Sequence, residues 1–224
     1  MRKSICIFFC MIMLIISAYG CGEESTPIAE SNQPVYEGTI LAIGDSLTEG
    51  LGVAEELAYP AVLQKKLVEQ GYAYQVINAG VSGETSSGAR SRLKWALTLK
   101  PDIVILVTGA NDGLRGIAPD LIQSNIEAIV ELLKQNEIIV VLGGMQMVQN
   151  LGQDYTAAFS NMYSQIAQSY DIILIPFFLA GVGANPRLNQ ADGIHPTAEG
   201  YRVIVENIYP YVVKAIQIHQ AKSK

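Results

Sequence analysis

The fold is set by Thr39-Ile40-Leu41-Ala42-Ile43, which is apolar from Ile40 onward, and by Gly44-Asp45-Ser46-Leu47, the turn that follows it. A short apolar run of this kind is typical of a strand that is buried on both faces of a parallel sheet. Ser46 then lies in the loop just past the C-terminal end of the strand, where open α/β sheets bind their ligands. The stretch therefore predicts a parallel sheet with the hydroxyl of Ser46 at its carboxyl edge.

The rest of the chain repeats this alternation of a short apolar run and a helical pattern. Connections of this length join parallel strands through helices on both faces of the sheet. We therefore expect an α/β fold, a three-layer α/β/α sandwich with a five-stranded parallel sheet. The predicted strands are Thr39–Ile43, Tyr74–Ile77, Ile103–Thr108, Ile138–Leu142 and Ile172–Ile175. The predicted helices are Tyr59–Gln70, Ser86–Leu97, Pro119–Gln135, Asp154–Tyr170 and one from about Thr197 to Ile218.

A second polar motif, Asp192-Gly193-Ile194-His195-Pro196, stands after the fifth predicted strand. Serine hydrolysis needs a hydroxyl nucleophile, an imidazole that takes its proton and a carboxylate that orients the imidazole. We expect Ser46 to be the nucleophile, His195 the general base and later acid, and Asp192 the carboxylate. The other histidine of the chain, His219, falls in a polar C-terminal tail and is expected to be solvated.

Each of these three residues also has a purely structural interpretation. Ser46 could be the N-cap of a helix that follows the strand. His195 could be a loop histidine held by Pro196, and Asp192 could be a turn-former, since Asp-Gly is a frequent turn pair. The catalytic interpretation is favoured by the combination of motifs, because the loops after parallel strands converge at one edge of the sheet.

The turn at residues 44–47 resembles the nucleophile block of the GDSL, or SGNH, hydrolases. The other blocks of that family follow in the same order, and the match covers about residues 38 to 215. The chain is most similar to the thioesterase I / lysophospholipase L1 / arylesterase group. The resemblance implies the flavodoxin-like SGNH hydrolase fold. The blocks are Asn78-Ala79-Gly80-Val81-Ser82-Gly83-Glu84-Thr85, Gly109-Ala110-Asn111-Asp112-Gly113-Leu114-Arg115-Gly116 and Asp192-Gly193-Ile194-His195-Pro196.

The resemblance also implies an oxyanion hole for the tetrahedral intermediate. Its donors would be the backbone N–H groups of Ser46 and Gly80 and the side-chain amide of Asn111. The structural alternatives are a turn glycine at position 80 and a turn asparagine at position 111. Asp45 and Asp112 are interpreted as acids that brace the loops.

The segment Gly143–Gly152 is long for a connection after the fourth predicted strand. It combines glycines with adaptable apolar side chains, which suits a lid over an acyl chain. Met145, Met147 and Leu151 are therefore the predicted substrate-binding residues. The apolar stretch Phe177–Leu179 is predicted either to add to this wall or to pack in the core.

Residues 1–20 have the pattern of a signal peptide. Arg2 and Lys3 precede the apolar run Ile5–Ile16, which is shorter than the ~20 residues that a bilayer-spanning helix needs. The small residues Ala18 and Gly20, the second directly before Cys21, resemble a bacterial lipoprotein cleavage signal, so Cys21 is the predicted lipidation site. Ordinary signal cleavage after Gly20 is the alternative.

Composition divides the chain and excludes several classes of function. Residues 21–37 are polar and proline-bearing and are predicted to be a flexible tether, while residues 38–224 form one hydrolase domain. Without residues 1–20, Lys and Arg fall from 15 to 13 against 21 Asp and Glu, so the net charge goes from −6 to −8. Such a chain is a poor candidate for binding nucleic acid. The cysteines, Cys6, Cys10 and Cys21, all precede the domain, so neither a disulfide framework nor a metal site or cofactor is expected there.

These observations predict a serine hydrolase of carboxylic ester or thioester bonds that forms an acyl-serine intermediate. It would be of arylesterase, acyl-CoA thioesterase or lysophospholipase type, with acyl esters or lysophospholipids as substrates. We expect a monomer in the bacterial cell envelope, exported and held to the membrane by lipid at Cys21. The alternatives are a carbohydrate O-acetylesterase, against which the lone Trp95 in a predicted helix counts, and a surface lipoprotein that only binds. A binding module has no need of the complete Ser, Gly, Asn and His set.

Overall fold

The structure is a computed structural model that describes residues 35–147 and 149–222. The predicted signal peptide at residues 1–20, Cys21 and the tether up to residue 34 lie outside the described residues. No helix within the described part of the chain is long and apolar enough to cross a membrane.

The sheet has five strands, all of them parallel within the described residues. The strands are β1 (Gly38–Gly44), β2 (Tyr74–Gly80), β3 (Ile103–Val107), β4 (Ile139–Gly143) and β5 (Ile173–Ile175). Their order across the sheet is β2-β1-β3-β4-β5. Every residue of β3 and β4 is buried, as expected for strands that are covered on both faces. The predicted five-stranded parallel sheet is confirmed.

Helices cover both faces of this sheet. They are α1 (Ser46–Glu49), α2 (Tyr59–Glu69), α3 (Ser86–Leu97), α4 (Ala110–Leu114), α5 (Pro119–Gln135), α6 (Gln153–Tyr170) and α7 (Ala198–Lys222). Short 3-10 turns occur at Glu55–Leu57 and Gln149–Leu151. The helix α5 packs against α3 and α6, and α2 packs against α7. Right-handed connections place these two groups on opposite faces of the sheet, so the predicted three-layer sandwich is also confirmed.

The strand order brings the expected site loops together. The chain leaves β1 for β2 on one side and then crosses to β3 on the other, so the order reverses at β1. The loops after β1, β2 and β3 therefore lie side by side at the carboxyl edge, at the kind of switch point where α/β sheets bind ligands.

The strand β2 is three residues longer than predicted. Its extension continues the ladder with β1, where Ala42 pairs with Asn78, Ile43 with Ala79 and Gly44 with Gly80. The polar Asn78 interrupts the apolar pattern, so the sequence pattern ends at Ile77 although the hydrogen-bonded ladder does not. This extension matters for the site, because it places Gly80 in the sheet.

Candidate active site

Three of the predicted site residues form a chain of hydrogen bonds. Ser46 Oγ lies 2.9 Å from His195 Nε2, and His195 Nδ1 lies 2.7 Å from Asp192 Oδ2. Ser46 is the first residue of α1, two residues after the last residue of β1, and it is buried. The other two residues come from the segment between β5 and α7, which reaches back to the end of β1. A hydroxyl, an imidazole and a carboxylate in this order can transfer a proton away from the hydroxyl.

The turn around Asp192 explains how three residues of separation allow this contact. Gly193 has a left-handed backbone with φ of +72°, which lets the chain fold back on itself. Asp192 Oδ1 accepts hydrogen bonds from the backbone N–H groups of Ile194 at 2.9 Å and His195 at 3.0 Å. The bond from the His195 ring, followed by these backbone bonds, lowers the pKa of Asp192 to about 2. Asp192 is therefore an anion at neutral pH, and it serves both as turn-former and as partner of the imidazole.

Asp45 lies directly before Ser46 and is buried. It is the N-cap of α1, with Oδ1 accepting from the Leu47 N–H at 3.0 Å, so this role falls to Asp45 and not to Ser46. Burial raises the pKa of Asp45 to about 6, although the Leu47 bond and the charge of His195 act in the opposite direction. The acid beside the candidate nucleophile therefore keeps its proton to a higher pH than an ordinary aspartic acid.

Asn111 joins the three loops at the carboxyl edge. It lies in α4, just after β3, and its Nδ2 donates to Asp45 Oδ2 at 3.2 Å and to the backbone oxygen of Glu84 at 3.1 Å. Asp45 belongs to the loop after β1, and Glu84 to the loop after β2. Asn111 also lines the same cavity as Ser46. The neighbouring Asp112 accepts from the N–H and Oγ of Ser86, each at 2.7 Å, which is the bracing role predicted for it.

The structure does not support Gly80 as an oxyanion donor. Its N–H donates to Asn78 Oδ1 at 2.9 Å, and Gly80 is not among the residues that line the cavity with Ser46. It closes the strand β2 opposite Gly44, and a Cβ at this position would lie 2.1 Å from the Glu49 backbone nitrogen. Gly80 is thus a packing glycine, needed because α1 lies directly against the end of β2.

A second glycine of the same loop, Gly83, was missed by the sequence reasoning. It has a φ of +76°, and its N–H has no hydrogen-bond partner within the described residues. The next residue, Glu84, is the one whose carbonyl receives the Asn111 amide. Arg115 Nη2 donates to the Gly83 carbonyl at 2.9 Å and holds this turn. The sequence block 78–85 contains both Gly80 and Gly83, and it does not show which of the two could donate. The structure distinguishes them, because β2 ends at Gly80 and Gly83 lies beyond it.

An apolar cavity of about 360 Å³ opens beside Ser46 and His195. Met145 is a buried part of its wall, and Met147 is half-buried. Phe177 lines the cavity, whereas Phe178 packs in the core with its ring centroid 5.2 Å from that of Tyr59. The described residues that line the cavity include no lysine or arginine. They are Asp45, Ser46, Leu47, Ala110, Asn111, Leu114, Met145, Gln146, Met147, Phe177, Leu179, Gly183, Ala184, Gly193, Ile194 and His195.

Leu151 is not part of this wall. It lies in the 3-10 turn Gln149–Leu151, is 36% exposed and does not line the cavity. The chain enters α6 two residues later, so Leu151 belongs to the approach to that helix. Of the three predicted substrate-binding residues, the structure places Met145 and Met147 at the cavity and Leu151 away from it.

The described part of the chain holds no group of three His, Cys, Asp or Glu side chains that could bind a metal ion.

Comparison with known proteins gives a consistent set of matches. The profile of the GDSL-like Lipase/Acylhydrolase family matches residues 42–203. The chain is 40% identical over 173 residues to esterase TesA of Pseudomonas aeruginosa, which covers 77% of this chain and 86% of that protein. It is 34% identical over 169 residues to thioesterase 1/protease 1/lysophospholipase L1 of Escherichia coli K12, which covers 75% of this chain and 80% of that protein. Among solved structures, the psychrotrophic esterase EstA from Pseudoalteromonas sp., inhibited by monoethylphosphonate, superposes with a TM-score of 0.77 at 31% identity, covering 81% of this chain and 100% of EstA.

Proposed function

Because the chain belongs to the GDSL-like Lipase/Acylhydrolase family, we propose that it is a serine esterase that hydrolyses acyl ester or thioester bonds through an acyl-serine intermediate. The observation that carries this proposal is the hydrogen-bonded chain from Ser46 through His195 to Asp192, with distances of 2.9 Å and 2.7 Å.

The first step is attack of Ser46 Oγ on the carbonyl carbon of the substrate. His195 Nε2 takes the hydroxyl proton as the Oγ–C bond forms, and the carbonyl π electrons move to the oxygen. Asp192 is an anion at neutral pH and stabilises the imidazolium that results. The hydrogen bond between His195 Nδ1 and Asp192 Oδ2 fixes the tautomer in which Nδ1 carries hydrogen and Nε2 accepts the serine proton.

The negative oxygen of the tetrahedral intermediate needs donors beside Ser46. The N–H of Ser46 has no hydrogen-bond partner within the described residues and is one candidate. The Asn111 amide is the second; its present bonds of 3.1 and 3.2 Å are at the long end of the N–H···O range, so the oxyanion can replace one of them. The N–H of Gly83 replaces Gly80 as the proposed donor from the loop after β2.

Collapse of the intermediate breaks the bond to the leaving alcohol or thiol, which receives the proton from His195. A water molecule then attacks the acyl-serine and gives a proton to the same imidazole. Breaking the C–Oγ bond releases the carboxylic acid, and Ser46 Oγ takes the proton back from His195, which restores both residues.

The cavity supports an uncharged acyl group as the part of the substrate that enters. Its wall is mostly apolar, and the described lining residues include no lysine or arginine that would pair with a phosphate. Related proteins carry the names esterase and thioesterase/lysophospholipase, which fits acyl esters and lysophospholipids as the substrate class. The carbohydrate O-acetylesterase alternative has less support, because Trp95 lies on α3, away from the cavity.

The decisive experiment for the substrate class is a chain-length profile on p-nitrophenyl esters, acyl-CoA thioesters and lysophosphatidylcholine. Each methylene buried in the cavity should add up to about 0.8 kcal/mol of binding until the cavity is full. We expect kcat/KM to rise from acetyl to medium-chain esters. An enzyme that is fastest on acetyl esters would favour the O-acetylesterase instead.

We also propose that the enzyme is exported as a monomer and anchored to the envelope membrane by lipid at Cys21. The support is the sequence pattern of residues 1–21, in which a cysteine directly follows the predicted cleavage site. Two or more acyl chains on that cysteine would anchor it stably, which a single chain does not. Cys21→Ser should release active enzyme into the soluble envelope fraction or leave it unprocessed. Wild-type protein that is mainly soluble outside the cytoplasm would indicate ordinary signal cleavage.

A further inference from the structure

A largely buried ion pair lies behind the loop that follows β2. Arg92, on α3, donates from Nε to Glu84 Oε1 at 2.6 Å and from Nη2 to Glu84 Oε2 at 2.7 Å. The side chains are 19% and 7% exposed, respectively. A bidentate guanidinium–carboxylate pair of this kind fixes the relative orientation of both groups as well as their distance.

The same guanidinium also binds the ends of two strands. Nη2 donates to the carbonyl of Ala79 at 2.7 Å, with a longer contact of 3.4 Å to the carbonyl of Gly44. Gly44 is the last residue of β1, directly before Asp45 and Ser46. Arg92 thus connects the end of β1, two residues before Ser46, with the end of β2 and with the loop after β2 that contains Glu84.

The backbone of Glu84 extends this connection to the third loop. Its carbonyl accepts from Asn111 Nδ2 at 3.1 Å, and the same nitrogen donates to Asp45 Oδ2 at 3.2 Å. A closed circuit of contacts therefore runs from Arg92 through Glu84, Asn111 and Asp45 back to Gly44. Every member of the circuit is fixed by at least two bonds.

We propose that Glu84 and Arg92 are a positioning pair for the oxyanion hole. The pair holds the Glu84 carbonyl that orients the Asn111 amide, and it holds the turn that carries the Gly83 N–H. Neither side chain lines the cavity, so the pair acts through these donors and does not touch the substrate. The inference rests on the proposed esterase function.

The test compares kinetics and transition-state-like reactivity in four variants. Arg92→Met and Glu84→Gln each break the pair, and Arg92→Lys keeps the charge but not the fork that reaches both carboxylate oxygens and the strand carbonyls. Because breaking one side of a buried pair leaves an unpaired charge and can prevent folding, the double variant Glu84→Leu/Arg92→Met removes both charges. The matched control is Arg202→Met, which breaks an exposed pair with Glu199 on α7 whose side chains are 57% and 61% exposed.

For each variant, kcat and KM are measured on a medium-chain ester. The rate of phosphonylation by a fluorophosphonate and the strength of inhibition by the fatty-acid product are measured as well. Ester turnover and phosphonylation both place a negative oxygen in the hole, whereas the fatty acid reports binding in the cavity. In the double variant we expect kcat and the phosphonylation rate to fall at least about tenfold, and in Arg92→Lys we expect a smaller fall. KM and product inhibition should stay within about twofold of the wild-type values. Arg202→Met should match the wild type.

A folded double variant with wild-type kcat and phosphonylation rate would overturn the positioning role. So would a loss confined to KM and product binding, because that would place the effect in the cavity wall. The wild type separates this result from failure of the esterase proposal: if wild-type Ser46 is neither phosphonylated nor active on esters, the proposed function itself is wrong.

Discussion

Ser46 and His195 are 149 residues apart in the chain, yet Ser46 Oγ lies 2.9 Å from His195 Nε2. The parallel sheet explains this proximity, since it brings the end of β1 and the segment after β5 to one edge. Asp192 extends the contact through the other ring nitrogen at 2.7 Å. The geometry therefore contains a complete path for the proton that serine must lose.

Asp192→Asn tests the far end of this path. An asparagine can keep the turn, since its Oδ1 still accepts from the backbone N–H groups of Ile194 and His195. It cannot stabilise an imidazolium by charge, so we expect kcat to fall by about 10³–10⁴-fold with a normal unfolding midpoint. We would measure ester turnover of this variant and of the control Asp154→Asn, which makes the same change on α6. Nearly wild-type turnover would reduce Asp192 to a turn residue.

Asn111→Ala tests the proposed oxyanion donor. The loss of one donor should lower kcat by about 10²–10³-fold, or roughly 3–4 kcal/mol, with little change in KM. Steady-state kinetics on a medium-chain ester measure this, with Asn161→Ala, an exposed asparagine on α6, as the control. A normal kcat with a raised KM would make Asn111 a residue that binds the ground state.

Asp45 should leave a signature in the pH dependence of stability. Its pKa is about 6 in the folded protein and 3.8 as the ordinary value, so the folded state holds this proton more tightly. The stabilisation from the protonated form is complete below about pH 4 and is lost as the pH rises to about 6, an effect of about 3 kcal/mol. The variant Asp45→Asn should not lose stability in this way, because an asparagine side chain does not ionise between pH 4 and pH 6.

Urea unfolding of both proteins between pH 4 and pH 8 measures the effect. The free energy of unfolding of Asp45→Asn minus that of the wild type should increase over the interval from about pH 4 to pH 6 and then stay level. A difference that is constant over this range would show that Asp45 is not a raised-pKa acid.

Met147 and Leu151 provide a matched pair for the acyl-binding wall. Met147 lines the cavity, whereas Leu151 is nearby in sequence and does not. Met147→Ser should therefore flatten the rise of kcat/KM with acyl chain length and leave acetyl-ester hydrolysis almost unchanged. Leu151→Ser should keep the wild-type profile. If the two variants respond alike, the cavity beside Met147 is not where the acyl chain binds.

The sequence was sufficient for the fold where its pattern was local. The apolar spacing of Ser86–Leu97 and Pro119–Gln135 predicted the observed bounds of α3 and α5. In the structure, Thr85 accepts from the Gly88 N–H at the start of α3, and Pro119 opens α5. The apolar strand runs gave the sheet. The sequence blocks that resemble the GDSL family predicted which residues meet at the carboxyl edge of the sheet.

The sequence is least informative where tertiary contacts decide the role of a residue. Gly80 and Gly83 look alike in sequence, but the ladder with β1 extends through Gly80, and only Gly83 has the left-handed backbone. Leu151 matched the apolar pattern of the segment, although the direction of a side chain in a connection depends on its neighbours in space. The Glu84–Arg92 pair was not predicted for the same reason, since its partners Gly44, Ala79 and Asn111 lie in β1, β2 and α4.

The most direct test of the central claim is labelling with a fluorophosphonate, followed by mass mapping of the modified peptide and measurement of ester turnover. The wild type should carry one adduct, on Ser46, and should lose turnover in proportion to labelling. Ser46→Ala should be folded, unlabelled and inactive, while the control Ser164→Ala should behave as the wild type. Turnover that persists in folded Ser46→Ala, or an adduct on another serine, would contradict the assignment of Ser46 as the nucleophile.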